Sequence, residues 1–176
     1  MNQQTPRVGI IMGSDSDLEI MQEAAQFLEK LAIPYEMTIA SAHRTPERMA
    51  EFVKNAHIRG IQVIIAGAGG AAHIAGVAAS LTHVPVIGVP IKSRSMEGLD
   101  SLLSMVQMPP GVPVATMAIN GGKNAGILAA QILATGDAQI SAKLKEYKKE
   151  MEKSVVTKAE KLEAQGYKKY LEEMNR

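Results

Sequence analysis

A histidine and an arginine stand side by side in Ser41-Ala42-His43-Arg44-Thr45-Pro46, between an apolar stretch and a run with helical periodicity. Imidazole takes up and returns a proton near neutral pH, and guanidinium binds phosphate or carboxylate through paired N–H donors. The pair reads as proton chemistry beside an anion; the plainer alternative is a histidine that only hydrogen-bonds its own loop. Thr45 is a natural N-cap and Pro46 a preferred first helical residue. Both side chains therefore fall beside a helix N-terminus, whose unpaired N–H groups attract negative charge.

Two other stretches could join them. In Gly13-Ser14-Asp15-Ser16-Asp17, hydroxyls and backbone N–H groups can cradle a phosphate, with Asp17 reaching ribose hydroxyls; equally, Ser and Asp are the commonest helix caps. Ala66-Gly67-Ala68-Gly69-Gly70-Ala71-Ala72-His73 carries almost no side chain until its last residue. Such a stretch lets backbone approach a ligand closely, or lets a helix pack tightly on a strand. His73 could orient a carboxylate or simply cap the site. His57 and His83 lack polar company in the sequence and read as surface or packing residues. Gly88-Val89-Pro90 and the Pro-bounded loop after Ser101 to Val106 hold no catalytic chemistry, although Gln107-Met108-Pro109 suits a lid or a subunit contact.

No nucleophile elbow, Walker loop or His-rich metal spacing occurs, and the chain has no Cys, so covalent serine hydrolysis, triphosphate hydrolysis and metal catalysis lack their residues. Proton chemistry on a bound phosphate ester is what remains.

The elements that must position these residues follow from periodicity. Val8 to Met12, Tyr35 to Ala40, Ile61 to Ala66, Val84 to Val89 and Val112 to Ile119 read as strands, several apolar on both faces as in a parallel sheet covered by helices. Between them, Leu18, Met21, Ala25, Leu28 and Leu31 form one helical stripe, Glu47 to His57 another helix, and Leu102, Leu103 and Val106 part of a third. The expected fold is α/β: a three-layer doubly wound parallel sheet of about five strands, flavodoxin-like. His43 and Arg44 then lie at the carboxyl edge of a strand, where ligands of such sheets bind. Asn124 to Leu133, small and apolar, reads as a buried helix.

From Asp137 onward Lys and Glu dominate, with Ile140, Leu144, Tyr147, Met151 and Val155 at steps of three and four, which predicts a long C-terminal amphipathic helix. Residues 143–176 hold ten Lys and Arg against seven Glu, so the tail is net +3 and the remainder, nine against eleven, net −2. Mixed charge of this kind marks a solvated face rather than a nucleic-acid arm, and its apolar stripe needs a partner surface.

With 176 residues and 46% hydrophobic content the chain can fill one core, so a single domain is expected over 1–176, an α/β body at 8–136 and a helical extension at 137–176. Aromatic residues make up only 3% and Trp is absent, so stacking on nucleic-acid bases is poorly supported; net charge +1 gives no basic footprint. No apolar run approaches the ~18 residues of a membrane helix, and Met1 to Arg7 is too short and polar for a secretory segment. The expected location is cytoplasmic.

Together, Gly13 to Asp17, Ser41 to Pro46, Ala66 to His73, Gly88 to Pro90 and Asp100 to Pro109 resemble the class I 5-(carboxyamino)imidazole ribonucleotide mutases of de novo purine synthesis, in the family's order and across about Val8 to Ala134. The resemblance implies a cofactor-free isomerase that moves a carboxylate from an exocyclic amine to a ring carbon by decarboxylation and recarboxylation. It implies His43 as general acid and base. It also implies that Ser14, Asp17 and Arg44 bind the phosphate and ribose, and that Ser41, Ala42, Ala68, Gly69 and His73 wall a dry carboxylate pocket. Members are octamers, which implies subunit contacts for the Gln107 loop and the C-terminal helix. The chain departs from the family at Leu18, where Trp is usual, at Ile74-Ala75, where Leu-Pro is usual, and in a shortened Asn120 to Asn124. The alternatives are a class II carboxylase of the same fold using free carbon dioxide, and a nonenzymatic nucleotide-binding domain.

Overall fold

The computed structural model describes residues 5–175; the reading of Met1 to Arg7 rests largely on residues 1–4, outside that range. The chain runs β1 (Val8–Met12), α1 (Leu18–Lys30), β2 (Tyr35–Ile39), α2 (Pro46–Lys54), β3 (Val63–Gly69), α3 (Ile74–Leu81), β4 (Val86–Ile91), α4 (Leu99–Val106), β5 (Ala115–Thr116), α5 (Gly122–Ala134) and α6 (Ala138–Met174). The five strands form one sheet in the order β2-β1-β3-β4-β5, with every pair parallel. This is the flavodoxin-like doubly wound order, and its direction reverses between β1 and β3.

Both faces of the sheet are buried, and side-chain alternation along each strand splits the core in two. Val8, Ile10 and Met12 of β1, with Val63 and Ile65 of β3 and Ile87 and Val89 of β4, pack under α1, α5 and the start of α6. Ile11, Ile64, Ala66 and Val86 face the other way, against Met49 and Val53 of α2, Ala75 and Ala78 of α3 and Met105 of α4. Each fully buried Ile or Leu contributes about 1.5–3 kcal/mol of transfer free energy, so these two layers are the main support of the fold.

The small residues of α5 allow the close approach expected of them. A Cβ on Gly126 would stand 2.8 Å from the carbonyl oxygen of Ala24, so α1 and α5 touch nearly backbone to backbone, and any larger residue would push them apart.

Several boundaries differ from the sequence reading. β3 and β4 begin two residues later than expected and run on to Gly69 and Ile91. β5 shrinks from Val112–Ile119 to Ala115–Thr116 because Pro113 offers no N–H to a ladder; isolated bonds from Met117 N to Gly88 O and Asn120 N to Pro90 O continue its track along β4. α2 stops at Lys54, and a 3-10 turn over His57–Arg59 follows, closed by Gly60 at φ 90°. Leu18 leaves the buried stripe of α1 and is exposed. On α4 the buried face is Ser101 and Met105, while Leu103 and Val106 are exposed; Met105 fills the space left by Gly88, where a Cβ would collide with its sulfur. His57 and His83 do keep company, with ring centroids 5.2 Å apart on the surface.

α6 is capped by Asp137, whose Oδ1 accepts from Gln139 and Ile140 N–H while its Oδ2 receives Arg7 Nη1 at 2.7 Å. Ile140 and Leu144 are buried, and Tyr147 packs edge-on to Phe27. The helix is not continuous as the sequence suggested: Gly166 takes φ 74°, ψ 159°. In a straight helix Lys161 and Glu173 would be about 18 Å apart; their side chains meet at 2.6 Å, so the chain turns back at Gly166.

Candidate functional site

The loops that leave the carboxyl ends of β1, β2, β3 and β4 surround a cleft of about 550 Å³ at the strand-order switch. All nine residues singled out in the sequence line it: Ser14 and Asp17, then Ser41, Ala42, His43 and Arg44, then Ala68, Gly69 and His73. They come from three separate strand ends and the loops that follow them, up to 59 positions apart in sequence, brought together because parallel strands end side by side.

The loop after β1 is a capping box. Ser14 Oγ accepts from Ser16 N, and Asp17 Oδ2 accepts from Ser14 N at 3.1 Å. Asp17 is 7% exposed, and burial raises its carboxyl pKa above the ordinary range against the opposing pull of the Ser14 and Gly13 N–H groups and the Arg44 charge.

The loop after β2 is fixed by Ser41 and Thr45. Thr45 holds the N-cap position of α2, yet its hydroxyl does not cap the helix; it accepts from Ser41 N at 2.9 Å and donates to Ser41 O at 3.2 Å. Ser41 Oγ in turn accepts from Arg44 N. Arg44 Nη2 donates to Gly13 O at 2.7 Å, which plants the guanidinium between this cleft and a second, more open one of about 660 Å³ lined by Thr38, Ile39 and Arg48.

The glycine run divides its labour. Gly67 is needed for packing, since a Cβ there would strike Met21. Gly70 is needed for conformation, since it has φ 66° with open space around it. That turn delivers His73 to the head of α3, where His73 Nδ1 lies 2.8 Å from His43 Nε2, the rings edge to face at 84°. One of these nitrogens carries the hydrogen and the other accepts it.

The sequence reading missed Lys92, Ser93 and Arg94, which form the fourth wall. The rule that found His43 would have found them had β4 been extended to Ile91, because they too sit at a strand's carboxyl end. Among the described residues Arg94 makes no hydrogen bond or ion pair, whereas Lys92 pairs with Glu97 and Ser93 donates to Asp100.

Fold and cleft together define a flavodoxin-like α/β protein that gathers imidazole, guanidinium and helix N-termini along one cleft. The AIR carboxylase family model matches residues 7–154. An N5-carboxyaminoimidazole ribonucleotide mutase of Thermotoga maritima is 64% identical over 166 residues, 94% of this chain and 97% of that protein. One of the same name from Pyrococcus horikoshii is 60% identical over 98% of both chains. A crystal structure of Treponema denticola PurE superposes with a TM-score of 0.82 at 30% identity, covering 89% of this chain and 98% of that one. The chain belongs to the AIR carboxylase family.

Proposed function

We propose that this chain is an isomerase of de novo purine synthesis, converting 5-(carboxyamino)imidazole ribonucleotide to 4-carboxy-5-aminoimidazole ribonucleotide. The observation that carries the assignment is end-to-end identity of 64% with a protein bearing the mutase name. The His43–His73 pair beside the glycine-run wall supplies chemistry suited to it.

In the proposed reaction the N–CO2 bond of the carbamate breaks, carbon dioxide is released into the pocket, and protonated His43 gives its proton to the exocyclic nitrogen. The ring carbon then attacks carbon dioxide, forming the new C–C bond, and His43 removes the ring proton, ending as it began. His73 holds the His43 ring and lines the carboxylate pocket with Ser41, Ala42, Ala68 and Gly69, surfaces with little to hydrogen-bond a leaving gas molecule. Arg44 binds the phosphate with Ser14 at the first loop, and Asp17 takes ribose hydroxyls.

Carbon dioxide must be recaptured before it escapes, which calls for a covered cleft. We infer that neighbouring subunits provide the cover, in a homo-octamer, with the Gln107-Met108-Pro109 loop and α6 packing across subunits. Exposed Met96, Leu99, Leu103 and Val106, gathered on and before α4, support an apolar contact there. We take residues 1–176 as one domain, the 8–136 body with its 137–176 extension. No described helix is long and apolar enough to cross a membrane; the cysteine-free composition suits our assignment to the reducing cytoplasm.

The test is turnover of freshly prepared carbamate substrate by metal-free protein, wild type beside His43→Ala. Conversion by the wild type alone supports the reading. Turnover only of the decarboxylated ribonucleotide with bicarbonate would replace it with carboxylase activity.

A further inference from the structure

One buried hydroxyl takes no part in the chemistry above. Ser101, in the first turns of α4, is 0% exposed, and its Oγ joins two cleft loops: it accepts from Gly70 N at 2.8 Å and donates to Ile91 O at 2.6 Å. Gly70 is the left-handed turn residue of the β3–α3 loop, and Ile91 is the last residue of β4, before Lys92. Ser101 N also donates to Asp100 Oδ1, which receives Ser93 Oγ at 2.7 Å, so the head of α4 grips both walls.

We propose that Ser101 is a positioning residue that holds the Gly70 turn and thereby keeps His73 within hydrogen-bonding reach of His43. The inference rests on the mutase reading for its kinetic arm only. A Cβ at Gly70 would meet nothing within 4 Å, so no packing at Gly70 itself holds this turn; α4 holds it by hydrogen bonds, its N–H donating to the fully buried Ser101 at 2.8 Å and its carbonyl accepting more weakly from Ser104 Oγ at 3.5 Å. From Gly70 the path to the imidazole is short: Ala72 N donates to Gly70 O and His73 N to Ala71 O, both at 2.9 Å, a tight coil that passes any rotation at Gly70 on to His73. Removing the hydroxyl orphans the Gly70 N–H and one bond of the Ile91 carbonyl, and the turn is then free to relax toward other partners.

The variants are Ser101→Ala and Ser101→Cys, the latter keeping a side-chain atom at the γ position, larger than oxygen and only a weak donor and acceptor. The first readout needs no substrate. In protein labelled at histidine, the resonances of His43 and His73, assigned by single substitution, should lose the signature of their shared proton, whereas those of His57 and His83 stay put. In turnover, kcat should fall on the order of tenfold to a hundredfold, the scale of a small misplacement of reacting groups. KM should stay within about threefold, because Arg44 and the first loop are untouched. Should the alanine variant fail to fold, the cysteine variant is read in the same way. A folded variant with the His43–His73 signature intact and kcat within about twofold of wild type overturns the proposal. Loss of activity that merely tracks loss of folded protein, with the signature unchanged in the folded fraction, overturns it as well. If the wild type turns nothing over, the mutase reading fails while the resonance test of the Ser101 link still stands.

Discussion

Arg44 Nη2 lies 2.7 Å from the carbonyl oxygen of Gly13, so one guanidinium ties the loop after β2 to the loop after β1. Nε also donates to Ser41 Oγ at 3.4 Å, which leaves Nη1 and the second hydrogen of Nη2 for a ligand. Arg44→Ala should therefore weaken ribonucleotide binding by about tenfold to a hundredfold, the worth of a charge-assisted hydrogen bond, with a smaller change in kcat. Arg44→Lys should recover only part, since a point charge cannot serve Gly13 and phosphate at once. Calorimetry with the ribonucleotide product checks both; unchanged affinity in the alanine variant would remove Arg44 from the binding site.

His43 is exposed, so its loss should leave the fold alone. His43→Ala is expected to shift stability by no more than about 0.5 kcal/mol while lowering kcat by about 10²–10⁴-fold, as for loss of a general acid and base. Urea unfolding alongside turnover separates the two effects, and a variant that unfolds would show that His43 supports structure instead.

Two aspartates give opposite pH dependences of stability. The Asp17 pKa is raised in the folded chain by burial, so its protonated form favours folding; that contribution is present below its ordinary value of 3.8 and is lost as pH rises through the elevated one. The Asp137 pKa is held down, first by the Arg7 hydrogen bond and then by the Ile140 N–H, so its contribution is present at neutral pH and lost as pH falls through the depressed value. Melting curves across pH 2–7 should show Asp17→Asn, which can no longer ionise, losing stability less on the neutral side than wild type does. Asp137→Asn should be less stable at pH 7 and converge on wild type in acid.

The fold was largely legible because parallel strands covered on both faces are continuous apolar runs, as Val8 to Met12 shows. His43 and Arg44 were legible for a related reason: a strand followed by Thr-Pro marks a carboxyl edge without any structure. What could not be read was set by packing across the chain. Nothing local says that α4 buries Ser101 and Met105 in place of Leu103 and Val106; that choice is made by Gly88 on β4 and Gly70 in the next loop. The His43–His73 contact was equally out of reach, because it depends on the angle of one left-handed glycine. Lys92 to Arg94 were lost to a two-residue error in where β4 ends.

The two glycines of the β3 edge offer a separable test. Gly67→Ala would drive a methyl into buried Met21 and should cost about 1–3 kcal/mol as overpacking, partly recovered by pairing it with Met21→Ala. Gly70→Ala meets open space but must hold a left-handed backbone, a cost of about 1–3 kcal/mol that no change at Met21 can relieve. Denaturant unfolding of the single and double variants distinguishes collision from strain.

Between Met151 and Glu160 every residue of α6 is exposed, including Met151, Val155 and Val156, and the chain then doubles back at Gly166. A helical stretch with no buried residue of its own gains its order from the turns on either side and from whatever lies alongside it. In the octamer proposed above its folding is a matter of mass action: helical content should rise with protein concentration, and on dilution the arm should melt while the sheet stays intact. The far-UV signal of this one segment would thus act as a gauge of assembly, reporting how many chains have found their neighbours.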